Sequence, residues 1–172
     1  DGNDFFANER SKTISKTSMG PVSIEFVDVN EEKKVLKENI SLGDGDVIDA
    51  TMMSKNALRT FLEDQIKDAK DQGVLFSVHL KATMMKVSDP IIFGHVVSVF
   101  FNRVVDKYQN TLKEIGIDLN NGMGEFYTKL ELLPSDKKQK IIDDIQVCLE
   151  EQPALFMVNS DRGISNLHVP SD

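Results

Sequence analysis

The spacing of apolar residues changes period at Ser54, and that change limits what the chain can become. Before it, "PVSIEFVDV" alternates. Val22, Ile24 and Phe26 fall on one face and Ser23 and Glu25 on the other, the period-two pattern of a half-buried strand. "NEEKK" can turn the chain, "VLKENISL" returns as a second strand, and "GDGD" at 43–46 is a turn ahead of "VIDATMM". Residues 1–20 are polar and are expected to be irregular. Residues 21–53 therefore predict short antiparallel β-structure.

After Ser54 the period is helical. Ser54 is a good N-cap for "SKNALRTFLEDQIKDAKDQG". Leu58, Phe61, Leu62, Ile66 and Ala69 share a face, and Gly73 sits where a closing glycine belongs. "VLFSVHL" follows as a strand. "SDPIIFGHVVSVFFNRVVDKYQNTLKEIG" predicts one long helix, capped by Ser88 or Asp89, with Pro90 in its first turn. Ile92, Val96, Phe100, Val104 and Leu112 make its stripe, widened by Ile91, Phe101 and Val105. "DLNNGMGEFY" punctuates, and a shorter helix runs to Leu133. A further helix runs from "PSD" to about Glu151, with Ile141, Ile145 and Cys148 inward, and "ALFMV" is a short apolar strand. Strands alternating with helices over 54–172 predict α/β packing. Residues 1–172 are expected to form a single unit: a lead-in to 20, β-rich to 53, and α/β beyond.

Composition narrows the partners. The net charge is −8, which argues against nucleic acid, because phosphate binding needs a basic face. Lys12, Lys16, Lys33, Lys34 and the group around Lys137 lie scattered among acids and read as solvated surface. Apolar runs are only a few residues long, too short for a membrane-crossing helix. The opening "DGNDFFANER" is no signal peptide and has no initiator methionine, so a processed product or a piece of something longer is expected. The one cysteine, Cys148, can form neither an internal disulfide nor a cysteine-based zinc site. It lies at an apolar helical position and suits a reducing compartment such as the cytoplasm. "NIS" at Asn39 matches a glycosylation sequon that nothing else supports.

Several side chains are candidates for chemistry. In "VLFSVHLK", Val74, Phe76, Val78 and Leu80 point one way, and Leu75, Ser77, His79 and Lys81 the other. Lys81 then lies at the carboxyl end of its strand, where α/β sheets bind ligands. There it could meet an anionic substrate, or transfer a proton if burial lowered its pKa. Geometry alone leaves this open against an ordinary surface lysine. His79 faces the same way, but no second histidine has metal-ligand spacing to it: His95 is on the next helix and His168 in the tail. Met84 and Met85 read as packing. Asp44, Asp46 and Asp49 cluster as in a calcium loop, but the required glycine and glutamate are out of register. "DLNNGMGEFY" has two glycines where a dinucleotide fingerprint needs three, with Tyr127 in the third place. The "SDRG" loop, Ser160–Gly163, and "HVPSD", ending at Asp172, follow an apolar strand and form another sheet-edge segment.

"MSKNALRTF", "GVLFSVHLKATMMKVSDPIIFG", "DLNNGMGEFY" and "MVNSDRGISNLHVPSD" closely resemble the monomeric NADP-dependent isocitrate dehydrogenases. The resemblance covers essentially the whole chain and is weakest over the first twenty residues and the "NEEKK" turn. It implies an internal segment of that family's large domain. It also implies the family's reaction: isocitrate is oxidised by hydride transfer to NADP and decarboxylated to 2-oxoglutarate, with Mg2+ or Mn2+ bound. The family's catalytic lysine matches Lys81, and a second lysine of the dimeric enzymes would match Lys86 in a supporting role. The metal-binding aspartate would come just after Asp172. The catalytic tyrosine lies elsewhere, so the resemblance gives that role to neither Tyr108 nor Tyr127. The substrate-binding serine and arginines and the NADP contacts also fall outside the chain. The resemblance implies isocitrate as small-molecule partner, no nucleic acid or membrane, a monomer at full length, and no activity for these 172 residues alone. Two other readings stand beside it: a non-catalytic interaction module with this fold, and a related β-decarboxylating dehydrogenase acting on another hydroxy acid.

Overall fold

The structure is a computed structural model that describes residues 2–78 and 87–155. It is mixed α/β, with short antiparallel strands first and helices after. The chain divides into two compact units, Asp1–Leu58 and Arg59–Asp172.

The first unit holds two two-stranded antiparallel sheets. β1 (Arg10–Thr13) pairs with β4 (Val47–Ala50), and β2 (Gly20–Val27) with β3 (Lys33–Leu42). β1 departs from the expectation that residues 1–20 are irregular. Its sequence, RSKT, is polar and exposed throughout, so it carries no alternation, and its pairing comes from a segment more than thirty positions away. The "GDGD" turn is tied to β1 by its backbone. Ile14, which is buried, donates to the Asp46 carbonyl at 2.7 Å and accepts from the Gly45 N–H at 2.9 Å. At the β2–β3 turn, Asp28 Oδ1 accepts from the backbone of Asn30 at 2.8 Å and of Glu32 at 2.9 Å. The pairing then shifts register on either side of Ile24. Asn39 lies in this irregular stretch with φ 56°, a left-handed conformation that asparagine tolerates better than most residues. The alternation of β2 is present, but its apolar face is uncovered. Val22, Ile24 and Phe26 are 40%, 50% and 54% exposed, so none of them is a core residue. The pattern fixes which residues share a face, while burial needs a second layer that this hairpin lacks among the described residues.

α1 (Lys55–Gln72) starts and stops where local chemistry directs. Ser54 Oγ accepts from the Ala57 N–H at 3.3 Å. At the other end Gly73 takes φ 66°, its N–H bonding Lys70 and that of Val74 bonding Ala69, which is the glycine-closed helix end. Leu62, Ile66 and Ala69 are buried as expected, whereas Phe61 is 57% exposed.

In the second unit the expected long helix is three: α2 (Ser88–Phe100), α3 (Asn102–Lys107) and α4 (Gln109–Glu114). The breaks fall at Phe101 and Tyr108, whose backbones leave the helical region. Neighbouring helical positions point about 100° apart, so a straight helix turns one of two adjacent rings away from a single core. Here Phe100 and Phe101 are 1% and 4% exposed, in edge contact at 4.9 Å, and the irregularity at Phe101 accompanies that double burial. The cap position of α2 is Val87, without a side-chain bond, so Ser88 and Asp89 are helical residues rather than caps. Ile91 lies outside the buried stripe, at 46% exposure. A 3-10 turn (Leu119–Asn121) leads into α5 (Gly122–Leu130), which ends before Leu133, and α6 (Ser135–Glu151) follows. Ile141, Ile145 and Cys148 are buried, as their spacing requires. Phe100, Val104, Leu130 and Ile141 are fully buried at the centre, each contributing about 1.5–3 kcal/mol of transfer free energy.

Candidate functional site

Two helices set up the approach to the strand that should carry Lys81. The last turn of α1 presents Lys70, whose Nζ donates to the carbonyls of Glu150 at 3.5 Å and Gln152 at 3.3 Å, at the end of α6. A cation is favoured at the exposed carbonyls of a helix C-terminus. The ends of α1 and α6 are thus held side by side, and both release extended chain. Phe76 and Leu155 then form a parallel bridge, with the Phe76 N–H bonded to the Ala154 carbonyl at 2.8 Å. Phe76 is buried and stacks on Phe100 of α2, ring centroids 6.4 Å apart. Among the described residues this one bridge, parallel in sense, is what represents the two expected strands, and neither is assigned as a strand there. Val74 does not share the burial of Phe76, being 50% exposed.

Lys81, His79, Met84, Met85 and Lys86 lie outside the described residues, as do Ser160–Gly163, Asp161, His168 and Asp172. What is described is the pair of stems leading to them.

The other sequence candidates resolve into structure. Asp46 Oδ2 accepts from the Gly43 N–H at 2.7 Å, closing the "GDGD" turn. "DLNNGMGEFY" is a helix start. Asp118 Oδ1 accepts from the Asn120 N–H at 3.0 Å, and Gly122 takes φ 80° at the entry to α5. An aspartate at that entry repels phosphate, so the segment does not fit a dinucleotide's pyrophosphate. Gly94 of α2 packs against this turn, where an added Cβ would lie 3.1 Å from the Asn120 nitrogen. Among the described residues no three His, Cys, Asp or Glu side chains converge as metal ligands.

One charged cluster carries no sequence signal. Asp144 of α6, only 15% exposed, accepts from Lys107 Nζ at 2.6 Å and from the Tyr108 hydroxyl at 2.7 Å. The Lys107 bond, then the Tyr108 bond, hold the Asp144 carboxyl below the usual carboxylate range. The same contact with Asp144 raises Lys107, and burial first, then Asp144, raises Tyr108. The partners are 36 and 37 positions apart, so only the packing of α3 on α6 joins them. Burial pushes up the pKa of Tyr127 and, as its leading cause, that of the Cys148 thiol.

Comparison with known proteins is uniform. A family model described as monomeric isocitrate dehydrogenase matches residues 1–172. The chain is 50% identical over all of its 172 residues to the "Isocitrate dehydrogenase [NADP]" of Azotobacter vinelandii, covering 23% of that protein. It is 47% and 46% identical over 169 residues to proteins named "Isocitrate dehydrogenase [NADP] 2" from Colwellia maris and Mycobacterium tuberculosis. There it covers 98% of its own length and 22% of theirs, so it spans less than a quarter of the relatives it matches.

Proposed function

Because the chain belongs to the monomeric isocitrate dehydrogenase family, we propose that it is a segment of the large domain of an NADP-dependent isocitrate dehydrogenase, with Lys81 as a catalytic residue. The observation that carries this reading is the 50% identity, over the entire chain, to a protein named for that activity. A match of that extent does not favour a free-standing interaction module.

The chemistry suits a lysine at a strand end. Isocitrate brings three carboxylates, so a nearby ammonium group is electrostatically favourable. Oxidation removes a hydride from the carbinol carbon and a proton from its oxygen. NADP supplies the hydride acceptor. Loss of CO2 from the resulting β-keto acid leaves an enolate, which takes up one proton to become 2-oxoglutarate. Lys81 would balance the local charge and relay that proton. Lys86 would support it. The parallel bridge of Phe76 with Leu155 supports the placement, because it gives the two segments the same direction where they meet.

Mg2+ or Mn2+ and NADP belong to this reading. Their binding groups are assigned, by the resemblance, to the rest of the polypeptide. The full-length protein would be a cytoplasmic monomer acting on isocitrate without nucleic acid or membrane. The test is isocitrate- and metal-dependent reduction of NADP. The full-length protein should show it and the purified 172-residue chain should not. Substrate profiling that found another hydroxy acid preferred over isocitrate would overturn the assignment.

A further inference from the structure

The β2–β3 hairpin has a face built for burial that stays about half exposed. Alternation in β2 puts Val22, Ile24 and Phe26 on one side, 40–54% exposed. Their cross-strand partners are Ile40, Lys37 and Lys34. The opposite face is more polar, with Glu25 and Lys33 in an ion pair at 3.7 Å. Lys34 and Lys37 make no ion pair with a described residue. The face thus combines an apolar row with two unneutralised ammonium groups. A two-stranded hairpin is marginal alone, and a row of this kind is stabilising only when covered.

We infer that this face is a docking surface for the remainder of the same polypeptide, taking an apolar patch bordered by carboxylates from outside residues 1–172. The inference rests on the reading of the chain as a segment of a longer enzyme. Three observations select this occupant. The chain accounts for only 23% of the length of its Azotobacter relative, so most of the surface available for docking lies elsewhere in such a protein. The matching family is described as monomeric, which disfavours a second copy. Lys34 and Lys37 beside the apolar row are complementary to a patch with carboxylates at its rim, because the aliphatic stems of lysines can lie along an apolar surface while their heads reach its edge.

Two probes on the full-length protein test it. The first is p-benzoylphenylalanine at position 26, irradiated and mapped by peptide mass spectrometry. The second leaves the sequence intact: a zero-length carboxyl-to-amine reagent applied to the wild type reports what Lys34 and Lys37 touch. The expected result is cross-links within a single polypeptide, from position 26 and from either lysine, to peptides outside 1–172. Links confined to 1–172, links between two copies, or no link from either probe overturn the inference. Isocitrate-dependent NADP reduction by the same wild-type preparation keeps the two questions apart. An active protein with the wrong cross-links sinks the docking surface alone, and an inactive protein with the expected links sinks the enzymatic reading alone.

Discussion

Phe76 and Leu155 lie side by side in a parallel bridge, although 79 positions separate them in the chain. The ring of Phe76 packs on Phe100, so the start of the lysine-bearing segment touches α2 as well as Leu155. Two contacts, the bridge to Leu155 and the ring of Phe100, thus fix Phe76 five positions ahead of Lys81.

Phe76→Ala should be costly. Removing this buried ring deletes its contact with Phe100 and leaves a cavity against α2, at a cost of about 3–5 kcal/mol. Urea unfolding of the full-length protein measures it. A loss below about 1 kcal/mol would show that the ring is not an anchor.

Gly94→Ala tests the contact between α2 and the start of α5. The new methyl group meets Asn120, its backbone nitrogen included, and overpacking of this kind costs about 1–3 kcal/mol. A neutral or stabilising outcome in thermal unfolding would contradict the close approach.

The Asp144 cluster predicts how stability depends on pH. Its carboxyl is depressed in the folded state, so its contribution is fully present above the unfolded value, about 3.9, and is lost as pH falls through the lower folded value. Lys107 and Tyr108 are raised, so their contributions are present below about 10 and are lost as pH rises through the folded values. Asp144→Ala should destabilise the fold at neutral pH, by removing the acceptor shared by Lys107 and Tyr108, and should flatten the acid limb of the stability curve. A variant that loses stability in acid as steeply as the wild type would contradict the assignment.

Cys148 should be inert while the protein is folded. It is 3% exposed and burial raises its thiol, so both access and thiolate fraction are low. A chromogenic disulfide reagent should label it only as denaturant crosses the unfolding midpoint. Rapid labelling in native buffer would contradict that burial.

Much of this was legible in the sequence where the signal is local. Ser54 and Gly73 bound α1 because a cap hydroxyl and a left-handed glycine act within one turn of their own helix. Ile141, Ile145 and Cys148 repeat at helical spacing and are buried. The division at Phe101 was not legible, because the apolar run continues through it and only the joint burial of two adjacent rings distinguishes it. β1 carries no hydrophobic pattern at all, and Asp144 meets Lys107 and Tyr108 only through tertiary packing. The alternation of Val22, Ile24 and Phe26 identified a shared face, but not what lies across from it. Periodicity alone placed Lys81 at a strand end and left its role open. The resemblance supplied the role, and Lys81 itself lies outside the described residues.

The most direct test of the central claim is the turnover of full-length Lys81→Met with isocitrate, NADP and Mg2+ or Mn2+. Methionine keeps the length of the side chain while removing its charge and its proton. The variant should keep the wild-type circular dichroism and melting temperature, and turnover should fall on the order of 10²–10⁴-fold, the usual contribution of a positioned acid–base group. A folded variant that turns over near the wild-type rate would show that Lys81 is not catalytic.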